Sequence, residues 1–214
     1  MSNEFPIALC VSYRGSTAEA VVRSSLTGDL KDAGVHVDLV ISSSPDVDAI
    51  RVVDGVEGMR LGRKVKLPEW RIKDLYPGSG QFATEEAYGE AFLDCCRHWK
   101  IQLICLFGWL GPLPDNVREA YSGRILRQFC GPMDPGRRDF FSPDLVGPGV
   151  HAAVLWYQRT LVGMNGVGVE PSTEVVTQLI RRKGEDCPIV GASSVPILDG
   201  GTDAIVTVQG GRLV

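Results

Sequence analysis

The stretch RILRQFCGPMDPGRRDFF, residues 124–141, starts as an apolar strand and breaks into a loop of proline, glycine and charge. Open parallel sheets hold their ligands at the carboxyl ends of their strands, so the side chains after this break are candidates for chemistry. Arg137 and Arg138 stand beside Phe140 and Phe141. Two guanidinium groups can clamp a phosphate while aromatic rings stack on a flat base, a combination suited to a nucleotide or sugar-nucleotide. Cys130 is a nucleophile by type, but it has an apolar neighbour and no base close in sequence to activate it. Near the amino terminus, YRGSTAEA follows an apolar run: Gly15 permits an unusual turn, and Ser16 or Thr17 can cap the helix that begins there. A helix start of this kind suits an anion.

The elements that position these residues follow from composition and periodicity. The chain has 214 residues, enough to bury a core in one domain, and a net charge of −4 without a long run of one sign. That balance lacks the basic footprint of a dedicated nucleic-acid binder and points to a small-molecule ligand. No segment has the charged flank and long apolar run of a signal peptide or membrane span, so a soluble, cytoplasmic protein is expected. The six cysteines, Cys10, Cys95, Cys96, Cys105, Cys130 and Cys187, show no framework spacing and read as reduced. Three histidines that do not cluster with them make a structural metal site unexpected.

PIALCVS (6–12) is a continuous apolar run, as in a strand covered on both faces. GVHVDLVIS predicts a second strand; a helix from near Asp46 and a short strand over 65–67 are expected beyond it. ATEEAYGEAFLDCCRHW is the strongest helix, with Tyr88, Ala91, Phe92, Cys95 and Trp99 on one apolar face and Glu85 and Glu86 at its positive end. IQLICLFGW reads as a buried strand, PDNVREAYSG as a short helix from Pro114 to Gly123, and RILRQFC as a strand. GVHAAVLWYQRTLV is a further helix, and STEVVTQLI and PIVGASSVPI are strands, antiparallel at one edge. Helices alternating with strands predict an α/β fold with an open, mostly parallel twisted sheet, in a single domain over 1–214.

LCVSYRGSTAEAVV, LFGWLGPLPDNVREAYSGRIL, GPGVHAAV and PIVGASSVPI, in this order and spacing, resemble the folate-dependent formyltransferase family. The resemblance implies a Rossmann-like formyltransferase fold and 10-formyltetrahydrofolate as co-substrate. It places a phosphate of the substrate at Gly15, Ser16 and Thr17, and the pterin pocket along LFGWLGPL at Phe107, Gly108, Trp109, Leu110 and Leu113. His151 matches a position associated with substrate contact.

The family's catalytic asparagine and histidine are replaced. Aligning Gly123 and Arg124 with the family's glycine and arginine puts Arg127 at the asparagine and Phe129 at the histidine; a one-residue slip puts Gln128 and Cys130 there instead. The family's aspartate falls on Glu185, with Asp186 beside it. Formyl transfer to an amine needs donors for an oxyanion and an acceptor for a proton. Arg127 can donate, and Glu185 or Asp186 can accept. The implied function is a diverged N-formyltransferase acting on an amine of a phosphorylated or nucleotide-linked small molecule. The alternative is an inactive homologue that binds a ligand or partners another subunit; a homodimer is compatible with either.

Overall fold

In the computed structural model of the chain, residues 4–12, 16–42, 84–109, 111–129 and 172–196 are described. The chain divides into two compact units, Met1–Arg127 with Leu179–Pro188 and Gln128–Gln178 with Ile189–Val214.

The first unit is a parallel α/β layer. It comprises β1 (Phe5–Val11), α1 (Ser16–Thr27), the single turn α2 (Asp29–Asp32), β2 (Val35–Ser42), α3 (Glu85–His98), β3 (Leu103–Leu106), α4 (Asp115–Ala120) and the start of β4 (Ile125–Phe129). β1 pairs in parallel with β2 on one side and β3 on the other, and β3 with β4. In the second unit β5 (Ser172–Ile180) and β6 (Ile189–Pro196) form an antiparallel ladder from Ser172 opposite Pro196 to Gln178 opposite Ile189. The last residues of β5 belong to the first unit, where the Gly123 N–H donates to the Ile180 carbonyl at 3.0 Å. The strand order is β2-β1-β3-β4-β5-β6. The expected mostly parallel sheet with an antiparallel carboxyl-terminal edge is therefore the observed one.

The continuous apolar run of β1 arises because both faces are covered. Ala8 and Cys10 join a core with Leu39, Ile41, Ile104, Leu106 and Ile125 under Phe92, Leu93 and Val117 of α3 and α4, whereas Ile7, Leu9 and Val11 join Val37, Val40 and Cys105 under Ala18 and Val22 of α1. Successive side chains of a strand point to opposite faces, so a run with no polar interruption fills both. The register slips between Ile7 and Ala8, which face Val37 and Leu39 respectively; Asp38 is passed over, and Val37 and Leu39 serve opposite cores.

The buried face of α3 consists of Tyr88, Gly89, Phe92, Leu93 and Cys96. It is rotated from the expected stripe: Tyr88 and Phe92 are buried as read, but Ala91, Cys95 and Trp99 lie at the margin, since the helix packs against α4 as well as the sheet. Thr84 caps it, its hydroxyl accepting from the Ala87 N–H at 3.1 Å. Among the described residues no helix is long and apolar enough to cross a membrane. The helix expected near Asp46, the strand at 65–67 and the helix in GVHAAVLWYQRTLV lie outside the described residues.

Candidate functional site at the end of β4

The chain between β3 and β4 positions the candidate residues, and most of its polar groups serve that purpose. Tyr121 closes α4, with its hydroxyl donating to the Ile101 carbonyl at 3.0 Å inside the core. Gly123 turns the chain at φ +71°, a left-handed conformation that suits glycine. Arg124 lays its guanidinium 4.7 Å from the Tyr121 ring centroid and donates to the Ala120 carbonyl at 2.7 Å. YSGR is thus a folded corner that aims β4. On its other side α4 is held to α3 by Asn116, whose Nδ2 donates to the Glu86 carbonyl at 3.0 Å and the Glu90 carboxylate at 3.1 Å.

β4 then presents two candidates on opposite faces. Arg127, opposite Leu106 in the parallel register, shares the face of Ile125 and hence the α3–α4 side; Gln128 shares the face of Leu126, which packs with the α1-side core. Both are half-buried, as is Phe129. A pocket on either face receives one of them, so the two alignments weighed in the sequence correspond to different faces of the sheet. Arg127 has no carboxylate partner among the described residues. Burial, and secondarily the nearby Arg118 guanidinium of α4, push its pKa below the ordinary arginine value. Arg118 did not stand out in the sequence, because a cation in a short amphipathic helix usually faces solvent; here its Nε is buried without an acceptor.

Glu185 and Asp186 lie exposed in the turn joining β5 to β6. The Glu185 N–H donates to the Arg182 carbonyl at 3.1 Å, and Gly184 takes φ +87°. This turn leaves β5 at Ile180, beside Gly123 at the head of β4, while Arg127 stands further along β4. Neighbouring side chains tie the turn to α4: Lys183 Nζ lies 2.8 Å from Asp115 Oδ2, and Arg182 Nε 3.2 Å from Glu119 Oε2. Among the described residues no ion pair or hydrogen bond joins Arg127 to Glu185 or Asp186.

The segment read as a pterin pocket is largely occupied by its own packing. Trp109 is buried in the α3–α4 core with its indole N–H donating to the Pro112 carbonyl at 3.3 Å, and Leu113 packs against the same core. Phe107 is half-buried against the α1-side core, its N–H on the Cys10 carbonyl at 3.0 Å. What stays open is the main chain at Gly108, exposed, at φ +68°, where an added Cβ would meet nothing within 4 Å. A flat heterocycle edged with alternating donors and acceptors fits main-chain N–H and C=O groups. The side chains of Trp109 and Leu113 are thus committed to the core, and the group this segment leaves exposed is the main chain at Gly108.

Ser16 is the first residue of α1, and Thr17 is half-buried beside it. Gly15, Leu110, Cys130, Arg137, Arg138 and His151 lie outside the described residues. The five described cysteines are free thiols. Burial raises the pKa of Cys10, Cys96 and Cys105, the latter two to about 12, which removes them as nucleophiles at neutral pH. Among the described residues no group of three histidine, cysteine or acidic side chains is arranged to hold a metal ion. At the opposite, amino-terminal edge of the strands, a cleft of about 650 Å³ is lined by Glu4, His36, Asp38, Trp99 and Gln102, among others.

No protein-family model matches the chain, and no curated protein does. Solved structures do. Glycinamide ribonucleotide transformylase 1 from Geobacillus kaustophilus is similar at TM-score 0.64 and 18% identity, over 92% of this chain and 86% of that one. Phosphoribosylglycinamide formyltransferase from Brucella melitensis gives TM-score 0.62 and 21% identity, over 94% and 84%. Formyltetrahydrofolate deformylase from Burkholderia mallei gives TM-score 0.58 and 13% identity, over 92% and 56%. The fold is that of the formyltransferases, as the sequence motifs imply.

Proposed function

We propose that the chain is a diverged N-formyltransferase that moves a formyl group from 10-formyltetrahydrofolate to an amine of a phosphorylated or nucleotide-linked small molecule. The observation that carries this reading is the half-buried Arg127 guanidinium, without a carboxylate partner among the described residues, at the strand end where open α/β sheets bind their ligands. The likeness to formyltransferase and deformylase structures supplies the fold.

10-Formyltetrahydrofolate supplies an activated one-carbon unit at the formate level, so its transfer to an amine is redox-neutral. When the acceptor nitrogen attacks that carbon, negative charge gathers on the formyl oxygen; the attacking nitrogen gives up one proton, and the departing folate nitrogen takes one up. The fixed, permanently charged fork of Arg127 donates to the developing oxyanion, the role an amide and an imidazole share in the family. The exposed main chain at Gly108 holds the pterin edge. Gly15, Ser16 and Thr17 at the start of α1, with Arg137, Arg138 and His151, hold the acceptor's phosphate and base. Gln128 is the donor if the ligand lies on the other face of β4; Glu185 and Asp186 belong to the turn beside Gly123, at the opposite end of β4, so the proton passes to solvent.

A second reading, a ligand-binding relative without turnover, is favoured by one feature: both carboxylates sit on an exposed turn with no contact to Arg127. One experiment separates the readings. Purified protein is mixed with 10-formyltetrahydrofolate and a panel of phosphorylated primary amines, and release of tetrahydrofolate is followed by absorbance beside folate-induced thermal stabilisation. Turnover abolished by Arg127→Ala supports transfer, stabilisation without turnover supports the silent relative, and neither effect removes folate from the account.

A further inference from the structure

Arg118 and Arg127 form a pair of cations that no ion pair among the described residues joins to a carboxylate, although Asp115 lies within electrostatic reach of Arg118. Arg127 projects from β4 on the face that α3 and α4 cover, and Arg118 comes from α4 close enough to depress it electrostatically. The neighbouring cations are engaged: Lys183 is paired with Asp115 at 2.8 Å and Arg182 with Glu119 at 3.2 Å, while Arg124 lies over the Tyr121 ring and donates to the Ala120 carbonyl. Glu119, next to Arg118 in sequence, is paired with Arg182, and Asp115, three residues before it, with Lys183. Arg118 therefore keeps a buried Nε–H with no acceptor. A buried donor of this kind costs free energy unless a partner arrives, and two adjacent guanidinium groups add repulsion to that cost. One doubly accepting oxyanion would satisfy both.

We propose that Arg118 and Arg127 together form a binding site for an anionic oxygen group, a phosphate or a carboxylate, carried by the ligand of this protein. Guanidinium forks match both groups in a bidentate manner, with short charge-assisted hydrogen bonds. The two sources differ in what they say about the ligand: a phosphate belongs to the acceptor, a carboxylate to an acid such as a glutamate tail. The site rests on the reading of the β4 end as the ligand cleft, and not on transfer itself; it assigns the Arg127 fork to the ligand's anionic group in place of the formyl oxygen.

The test is thermal unfolding at constant ionic strength with inorganic phosphate in one arm and glutarate in the other, on wild type, Arg118→Gln, Arg127→Gln and the remote control Arg23→Gln. Wild type and the control gain stability with one anion, and each site variant weakens that anion by about tenfold, equivalent to ~1.4 kcal/mol. Without added anion, Arg127→Gln melts no lower than wild type, because removing one of two crowded cations relieves the free protein; a merely structural arginine would lower it. An unchanged response in the site variants, or no response to either anion in wild type, overturns the proposal. Formyl transfer without an anion response leaves the activity standing and removes the site; an anion response without transfer does the reverse.

Discussion

Asn116 occupies the space that a side chain at position 89 would need: a Cβ built on Gly89 would fall inside van der Waals contact with Asn116 Oδ1. The missing methyl lets α4 lie against α3, and the Asn116 amide then reaches Glu86 and Glu90. Gly89→Ala adds about 1 kcal/mol of helix propensity but displaces an amide making two hydrogen bonds of about 1 kcal/mol each. Urea unfolding should show Gly89→Ala destabilised by roughly 1 kcal/mol in wild type and stabilised by a similar amount in an Asn116→Ala background. Additive effects would mean the two residues do not meet.

Tyr121 anchors the corner ahead of β4 through one buried hydroxyl. Tyr121→Phe keeps the ring beneath Arg124 and strands the Ile101 carbonyl, for a loss of about 1 to 3 kcal/mol. Chemical denaturation measures it, and a neutral result would show that water replaces the phenol.

Two glycines in the loop after β3 should respond differently to alanine. At Gly108 the cost is conformational alone, about 1 kcal/mol for φ +68° with open space around the new methyl. At Gly111 the methyl would run into the Trp109 ring, which the core holds from behind, so about 1–3 kcal/mol of overpacking is expected. Equal melting temperatures for Gly108→Ala and Gly111→Ala would contradict this order.

The buried thiols make the fold sensitive to alkali. Burial raises Cys105 to about 12, and burial with the neighbouring Cys95 raises Cys96 to about 12. Below about pH 8.5, the ordinary thiol value, both folded and unfolded chains keep these protons and the full stability is present. Above it the unfolded chain releases protons that the folded chain retains, so stability falls as pH rises towards about 12. Denaturant titrations between pH 8 and pH 10.5 should show this decline, and Cys105→Ala should flatten it by the equivalent of one proton. A slope identical to wild type would place Cys105 in contact with water.

Local pattern determined a great deal about this protein. The uninterrupted apolar runs at 6–12 and 103–106 required strands covered on both faces, and the 3.6-residue spacing from Tyr88 to Phe92 required a helix against them. Gly123 had to end the short helix before β4, and the alternation of elements set a mostly parallel sheet. Each follows from the neighbours of a residue in the chain. Tertiary structure alone decided which face of β4 each candidate takes, that Trp109 is spent on core packing, and that Arg118 buries its Nε. The reason is the two-residue period of a strand. A shift of one position reverses every side chain, and the pairing of β4 with β3, from a segment some twenty residues away, removes that ambiguity.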